Sequence, residues 1–329
     1  MQRHSEHWRA VVWLLIATLM WALSFPLVKV LHVKQEALVP NGSSLFFASL
    51  AAMVRFGIAG IVVALIAARS LRSITRLEIT QGLALAFFGG LGIVFQMDGL
   101  AYTPASTSAF LTQFYCLLIP IWAAWRQREI PRAAVIISSV MVLVGCGVLA
   151  NFRLSDLRIG RGEAETIIAA IFFAGQILLL ERPRYAANNV MRFTVVMFLG
   201  TALLLLPCVL ITAPSTQAIS RAYNSGPVWL VMGAIILFCT LGAYLLMNRW
   251  QRFVTATEAG LIYCVEPVAA SLFALFLPAM LSQLTGVDYA NEVVTWRLLM
   301  GGALVTAANV LIQFEAMTHP PKAAATDFH

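Results

Sequence analysis

Short basic clusters divide the 329-residue chain into ten apolar stretches, and that division limits the fold more than any other feature of the sequence. The stretches are residues 10–28, 45–68, 79–97, 105–125 and 133–150, then 166–180, 193–212, 228–247, 259–281 and 293–314. A hydrocarbon core of about 30 Å is crossed by about 20 apolar residues in a helix, so each stretch reads as a transmembrane helix. Tilt or kinking absorbs the differences in length. Only 11% of the residues are charged, too few to clothe a soluble domain, in which roughly a quarter are. Outer-membrane barrels alternate apolar and polar residues along each strand, whereas these runs are unbroken. Helices satisfy their own backbone groups in lipid. The expected fold class is an all-α membrane protein of ten transmembrane helices.

The net charge of +7 would suggest a nucleic-acid partner only if the basic residues gathered on one face. They sit instead between apolar runs, so no nucleic acid is expected and the charge becomes a topology signal. With Lys29 and Arg192 set aside as flanking residues at span ends, the termini and the loops after the even-numbered spans hold thirteen Lys or Arg against five in the other loops. Both ends, residues 1–9 and 316–329, are therefore expected in the cytoplasm. The five cysteines lie in apolar runs without a CxxC pair and read as buried thiols. All five histidines fall near the termini or in the first loop. An intramembrane metal site is not expected, and neither is a cofactor. Lys29, Val30 and Leu31 follow the first run where a small-residue cleavage site would stand in a signal peptide, so that run reads as a retained span.

The chain also resembles itself. Met53-Val54-Arg55-Phe56 is echoed by Val190-Met191-Arg192-Phe193, and Tyr102-Thr103-Pro104-Ala105-Ser106 by Phe253-Val254-Thr255-Ala256-Thr257. The second echo has an offset of 151 residues, which also carries Tyr115-Cys116 onto Glu266-Pro267. Five spans per half is an odd number, so two such halves, 10–150 and 164–315 joined by an external linker 151–163, would be inverted. Inverted repeats provide two similar states that exchange inward-facing and outward-facing arrangements about a central site.

Several segments carry a more specific resemblance. They are Trp21-Ala22-Leu23-Ser24-Phe25-Pro26, Ala101 to Leu111, Glu129-Ile130-Pro131, Glu266-Pro267 and Gly301-Gly302-Ala303-Leu304. Together they resemble the EamA-type repeat of the drug/metabolite transporter superfamily. The resemblance implies two inverted five-helix halves, usually in a bacterial inner membrane, and movement of small metabolites. Cys116 stands where the repeat usually has proline, and a longer segment, 278–291, replaces the Gly-Glu after the ninth span.

Ionisable groups inside a membrane are costly and mark function by default. Glu266 is the strongest candidate, an acid beside the helix-breaking Pro267, whose missing N–H leaves the Tyr263 carbonyl without its usual partner. Tyr115 is its counterpart in the first half, and Ser108, Thr112 and Tyr115 share one helix face. Tyr263, Gln176, Trp21 and Ser24 complete the candidate substrate-binding set. Arg55, expected toward the outer end of the second span, and Arg192, toward the inner end of the seventh, read as gates or as structural anchors. Asp98 and Glu258 are their candidate partners. Gly89, Gly90 and Gly92 would allow close helix approach.

No GxxxxGK[ST] phosphate loop, HExxH or GxSxG motif occurs, so neither ATP hydrolysis nor another enzyme activity is expected. The reading is a secondary transporter of small metabolites, exporting by expectation although direction is not written in the residues. Its partners would be a small-molecule substrate and the lipid bilayer, with a proton as the coupling ion at Glu266. One acid among aromatic and hydroxyl groups, with arginines nearby, suits an amino acid or related amine. A multidrug or organic-cation efflux permease is the second reading, since Glu266 with Trp21, Tyr115 and Tyr263 would form an acidic aromatic cage. Nothing in the chain chooses between a monomer and a homodimer.

Overall fold

A computed structural model describes residues 2–103, 105–149, 160–291 and 293–318. Every one of the ten apolar stretches is helical there, and no strand occurs among the described residues. The first half contains α1 (Gln2–Ala22), α2 (Ser24–Leu38), α3 (Ser44–Ile66), the single turn α4 (Ala68–Leu71), α5 (Arg76–Gly99), α6 (Ala105–Thr112), α7 (Tyr115–Gln127) and α8 (Ala133–Leu149). The second contains α9 (Arg161–Leu180), α10 (Val190–Thr212), α11 (Thr216–Arg221), α12 (Gly226–Ala234), α13 (Ala243–Trp250), α14 (Ala256–Tyr263), α15 (Glu266–Phe273), α16 (Leu277–Thr285) and α17 (Trp296–Thr318). A π-helical segment, Ile235–Gly242, joins α12 to α13.

Six of these stretches are long and apolar enough to cross a membrane. Joining α14 and α15 to α16 across a 63° bend makes seven. The remaining three stretches are helical but shorter or interrupted: the α6/α7 pair, α8 and α17.

Helix boundaries depart from the expected ones at several ends. α1 begins at Gln2, so residues 2–9 are helical and continuous with the first apolar stretch. The first span runs on to Leu38 through Lys29, Lys34 and Glu36, and Glu6–Leu38 covers 33 residues. At about 1.5 Å per residue this is roughly 50 Å, well beyond the hydrocarbon thickness. The last three residues expected in the linker belong to α9, where Glu163 accepts from the Gly160 backbone N–H at 3.0 Å. Residues 151–159 of that linker, together with Met1, Pro104, Ala150, Glu292 and the tail beyond Thr318, lie outside the described residues.

Small residues set the packing. α10 lies against both α3 and α5, and α9 against α5. A Cβ at Gly60 would come within 2.6 Å of Leu199, and one at Gly82 within 2.5 Å of Val196. Such close approach is how helices gain contact where lipid removes the hydrophobic drive. In the other layer, Gly145 of α8 faces the Gly301 carbonyl of α17 at a Cβ distance of 2.9 Å. Phe46, Phe56, Phe198 and Met232 fill the interior, while Ile211 is 83% and Leu65 72% exposed. An apolar exterior of that kind is suited to lipid rather than water.

Candidate functional site

Three of the apolar stretches are interrupted in the middle, at Leu23, at Gln113-Phe114 and at Cys264-Val265. The last two breaks are built alike. Gln113 and Phe114 donate to the carbonyls three residues back, Phe110 and Leu111, at 3.1 Å each. Cys264 and Val265 do the same to Leu261 and Ile262 at 3.2 Å each. These pairs are related by the offset of 151 residues read in the sequence. Tightening to i→i−3 bonds ends an α-helical run, so the side chains just beyond each break, Tyr115 and Glu266, start new helices.

All three interruptions open onto one cavity of about 60 Å³. Trp21 and Ser24 reach it from the first break, Thr112 and Tyr115 from the second, and Tyr263 and Glu266 from the third. Gln176, with Phe173 and Ile177, comes from α9, Ile93 and Gln96 from α5, and Arg55 from α3. Tyr244 and Met247 of α13 complete the lining.

Seven of the eight expected binding residues therefore meet in one place. Ser108 does not join them: it is fully buried and bonds Thr166 at 3.2 Å, tying α6 to α9. Thr112 is itself held by donating to the Ser108 carbonyl (2.8 Å) and accepting from Gln96 (3.2 Å).

Arg55 is neither at the outer end of its span nor paired with Asp98. It lies midway along α3 and is only 3% exposed. Its Nε donates to Thr240 Oγ1 at 3.0 Å and its Nη2 to the Cys239 carbonyl at 3.4 Å. Both acceptors belong to the π-helical segment, whose wider winding shifts Thr240 Oγ1 onto the Ile235 carbonyl five residues back. Single π-turns of this kind recur at functional sites.

Asp98 instead pairs with Arg161 (2.6 Å) and accepts from Ser44 (2.6 Å). Arg161 also holds Glu165 at 2.7 Å and Tyr102 at 2.9 Å. Glu258 does not meet Arg192; it pairs with His7 at 3.0 Å and caps α14 through Thr255. Arg192 bonds Ser73 and lies 3.4 Å from Glu78, anchoring α10 to the turn before α5. In each case a nearer helix end supplied the counter-charge.

Two buried donors on the cavity wall, Trp21 Nε1 and Gln176 Nε2, have no hydrogen-bond partner among the described residues. Leaving a buried donor unpaired costs about 1–3 kcal/mol, so this wall is built to meet a polar guest. Room for Gln176 comes from Gly89, where a Cβ would lie 2.8 Å from Nε2. Trp21 stacks edge-on against Tyr244 and Tyr263, both at 5.3 Å. Arg55 and Glu266 both line the cavity, and no ion pair between them occurs among the described residues.

The two ends differ. Toward the turn at residues 39–43 a vestibule of about 660 Å³ opens, lined by Phe25, Met97 and Pro267, each the next residue after one in the central cavity. Toward the other end the floor is closed by a buried chain: Tyr263 donates to Gln251 (2.9 Å), which donates to the Ile177 carbonyl (2.7 Å). Below it Trp13 stacks on Trp250 at 6.3 Å. Among the described residues no group of three His, Cys, Asp or Glu could hold a metal ion. All five thiols are free, four buried and Cys208 half-buried.

Gln96, Phe173 and Tyr244 were missed in the sequence. Gln96 was accessible by the rule that picked Glu266, a lone polar side chain in an apolar run; Phe173 had no signal at all.

Residues 8–151 match the EamA-like transporter family. An uncharacterized transporter from Archaeoglobus fulgidus is 24% identical over 213 residues, 64% of this chain and 65% of the relative's. The chain thus matches about two thirds of the length of that curated relative. A solved protein crystal structure has a similar fold, with a TM-score of 0.67 at 18% identity, covering 95% of this chain and 99% of the other. The first part of the chain, residues 8–151, is thus similar to EamA-like transporters, and that match together with the apolar helices makes this a multi-pass membrane protein.

Proposed function

We propose that the protein is a secondary transporter that moves small metabolites, amino acids or related amines foremost, by alternating access around the central cavity. The observation that carries this reading is that a guanidinium, Arg55, and a carboxyl, Glu266, line one cavity without an ion pair between them. Arg55 suits a carboxylate, Glu266 an ammonium, and Trp21 Nε1 and Gln176 Nε2 supply further donors. A zwitterion satisfies all of them; a lone cation would leave Arg55 without an anion.

Ten spans in two inverted five-helix halves, 10–150 and 164–315, fit this function, and the matching breaks at an offset of 151 residues support them. With both termini in the cytoplasm of a bacterial inner membrane, as the basic residues favour, the vestibule faces outward and the Tyr263–Gln251 floor faces inward. Export would then end with release through that vestibule. Glu266 is also the coupling group: a carboxyl in an aromatic-walled cavity exchanges a proton for an amine. The aromatic cluster around Glu266 favours a second reading, efflux of organic cations, in which Arg55 would be a structural anchor only.

Reconstitution in liposomes with labelled amino acids and amines, with and without a pH gradient, tests the proposal. Gradient-driven flux of an amino acid that is lost in Glu266→Gln is the expected result. Flux that ignores the gradient and survives Glu266→Gln would remove proton coupling. Preference for amines lacking a carboxylate would favour the second reading. Orientation is checked separately by labelling Asn41→Cys with an impermeant thiol reagent, which should react from outside in intact cells.

A further inference from the structure

We propose that the vestibule holds a second ligand site, separate from the central cavity, in which Lys29 binds the carboxylate of an amphipathic acid of amino-acid size. In the sequence Lys29 served only to argue against a cleavage site. In the structure it lies on the vestibule wall, five residues beyond Ser24 of the central cavity. A helix rises about 1.5 Å per residue, so Lys29 stands roughly 7 Å further toward the mouth. With the central cavity near the midplane, that remains inside the hydrocarbon half-thickness of about 15 Å. A lysine at membrane depth persists when it faces a water-filled path and has an anion to meet.

No carboxylate of the described residues forms an ion pair with Lys29. Its ammonium rests instead on the Tyr289 ring, 4.7 Å from the centroid. Arg161, at the same end of the bundle, is by contrast saturated by Asp98 and Glu165. Lys29 is thus a cation with an aromatic backing and an open side on a cavity of about 660 Å³. That volume lies within the roughly 300–1,000 Å³ of ordinary small-molecule sites, whereas the central cavity of about 60 Å³ is closed down to the size of a few waters. Phe25, Phe47, Met97 and Pro267 give the vestibule an apolar wall for the rest of the ligand.

Besides Lys29, the titratable side chains on this wall are His32, Glu36, Tyr102, Tyr289 and Cys146, of which only Glu36 is a carboxyl. His32 packs edge-on against Phe47 at 5.3 Å. Glu36 is seven residues further along α2, about 10 Å from Lys29 along the axis, too far to take the amine of an α-amino acid whose carboxylate is on Lys29. The vestibule should therefore select for a carboxylate and be indifferent to an amine, unlike the central cavity. The site depends on the transport reading for its place on a permeation path, but its binding chemistry stands without it.

Equilibrium dialysis of the full-length protein in nanodiscs against labelled 3-phenylpropionate and phenethylamine tests this, with empty nanodiscs correcting for partition into lipid. Saturable binding of 3-phenylpropionate is expected. Lys29→Gln should weaken it by about tenfold or more, the scale of one charge-assisted hydrogen bond. Lys29→Arg should restore it, and Arg55→Gln, in the central cavity, should leave it within about twofold. Phenethylamine binding should not respond to Lys29. No saturable 3-phenylpropionate binding, or binding unchanged in Lys29→Gln, overturns the proposal. Loss of that binding in Arg55→Gln also overturns it, because the acid would then be occupying the central cavity, where Arg55 is the carboxylate's partner. A protein that transports nothing but binds in this pattern would overturn the transport reading and keep the site.

Discussion

The two broken spans, α6/α7 and α14/α15, solve one problem in two ways. Each tightens into the same pair of i→i−3 bonds, and each starts a new helix with a cavity residue. In the second, Pro267 is the second residue of α15, where its missing N–H costs little because a helix start has unpaired N–H groups anyway. In the first, Cys116 occupies the matching position and the proline comes one turn later, as Pro120 inside α7. There the missing N–H frees the Cys116 carbonyl, and Ser139 of α8 donates to it at 3.1 Å. The break is thus a property of the cavity, and the proline that accompanies it is free to move by a turn if a neighbouring helix supplies a donor. The chemistry also differs: an acid at the mouth of one helix, a phenol at the other.

That difference sets the largest expected effect. Glu266→Gln should lower gradient-driven flux by about a hundredfold, the loss expected when a buried charged group is neutralised, whereas Tyr115→Phe should cost less than about tenfold, both read from liposome uptake. Equal losses would mean that the two breaks are functionally equivalent. Next, Arg55→Gln should weaken binding of a carboxylate-bearing substrate by about tenfold while leaving its decarboxylated amine within about twofold, measured by scintillation proximity. Equal weakening of both would make Arg55 an anchor of the π-helical segment.

Smaller still is the test of the displaced proline. Ser139→Ala should destabilise the protein by about 1 kcal/mol, measured by thermal unfolding in detergent. The same change in a Pro120→Ala background should cost almost nothing, since a restored N–H can take the Cys116 carbonyl. Additive effects would show that Ser139 does not replace that bond. The smallest effect is Gly89→Ala, whose Cβ would meet Gln176 Nε2 at 2.8 Å. Because a flexible side chain can yield, a loss of about 0.5–1 kcal/mol is expected, with substrate affinity falling as Gln176 leaves the wall.

Much of the cavity was legible. Glu266, Tyr115 and Gln176 stand out because a polar side chain in an apolar run needs a reason. Ser108 follows the same rule and fails it, since a hydroxyl is equally satisfied by another helix, here through Thr166. The charge partners were the least legible. Arg55, Asp98, Arg192 and Glu258 pair, or fail to pair, according to which helix end lies nearest in space, and the linear order carries no such information.

By itself the sequence determined that this chain is a helical membrane protein, because only long apolar helices reconcile 60% hydrophobic residues with satisfied backbone groups. It also carried the offset of 151 residues that relates the two broken helices, although the breaks themselves came from the structure. Only the tertiary structure decided that Arg55 enters the cavity, through acceptors that a π-helical turn some 185 residues further along the chain turns toward it. It alone decided which end is open, because a vestibule and a floor arise from how tilted helices meet, a quantity no single helix possesses.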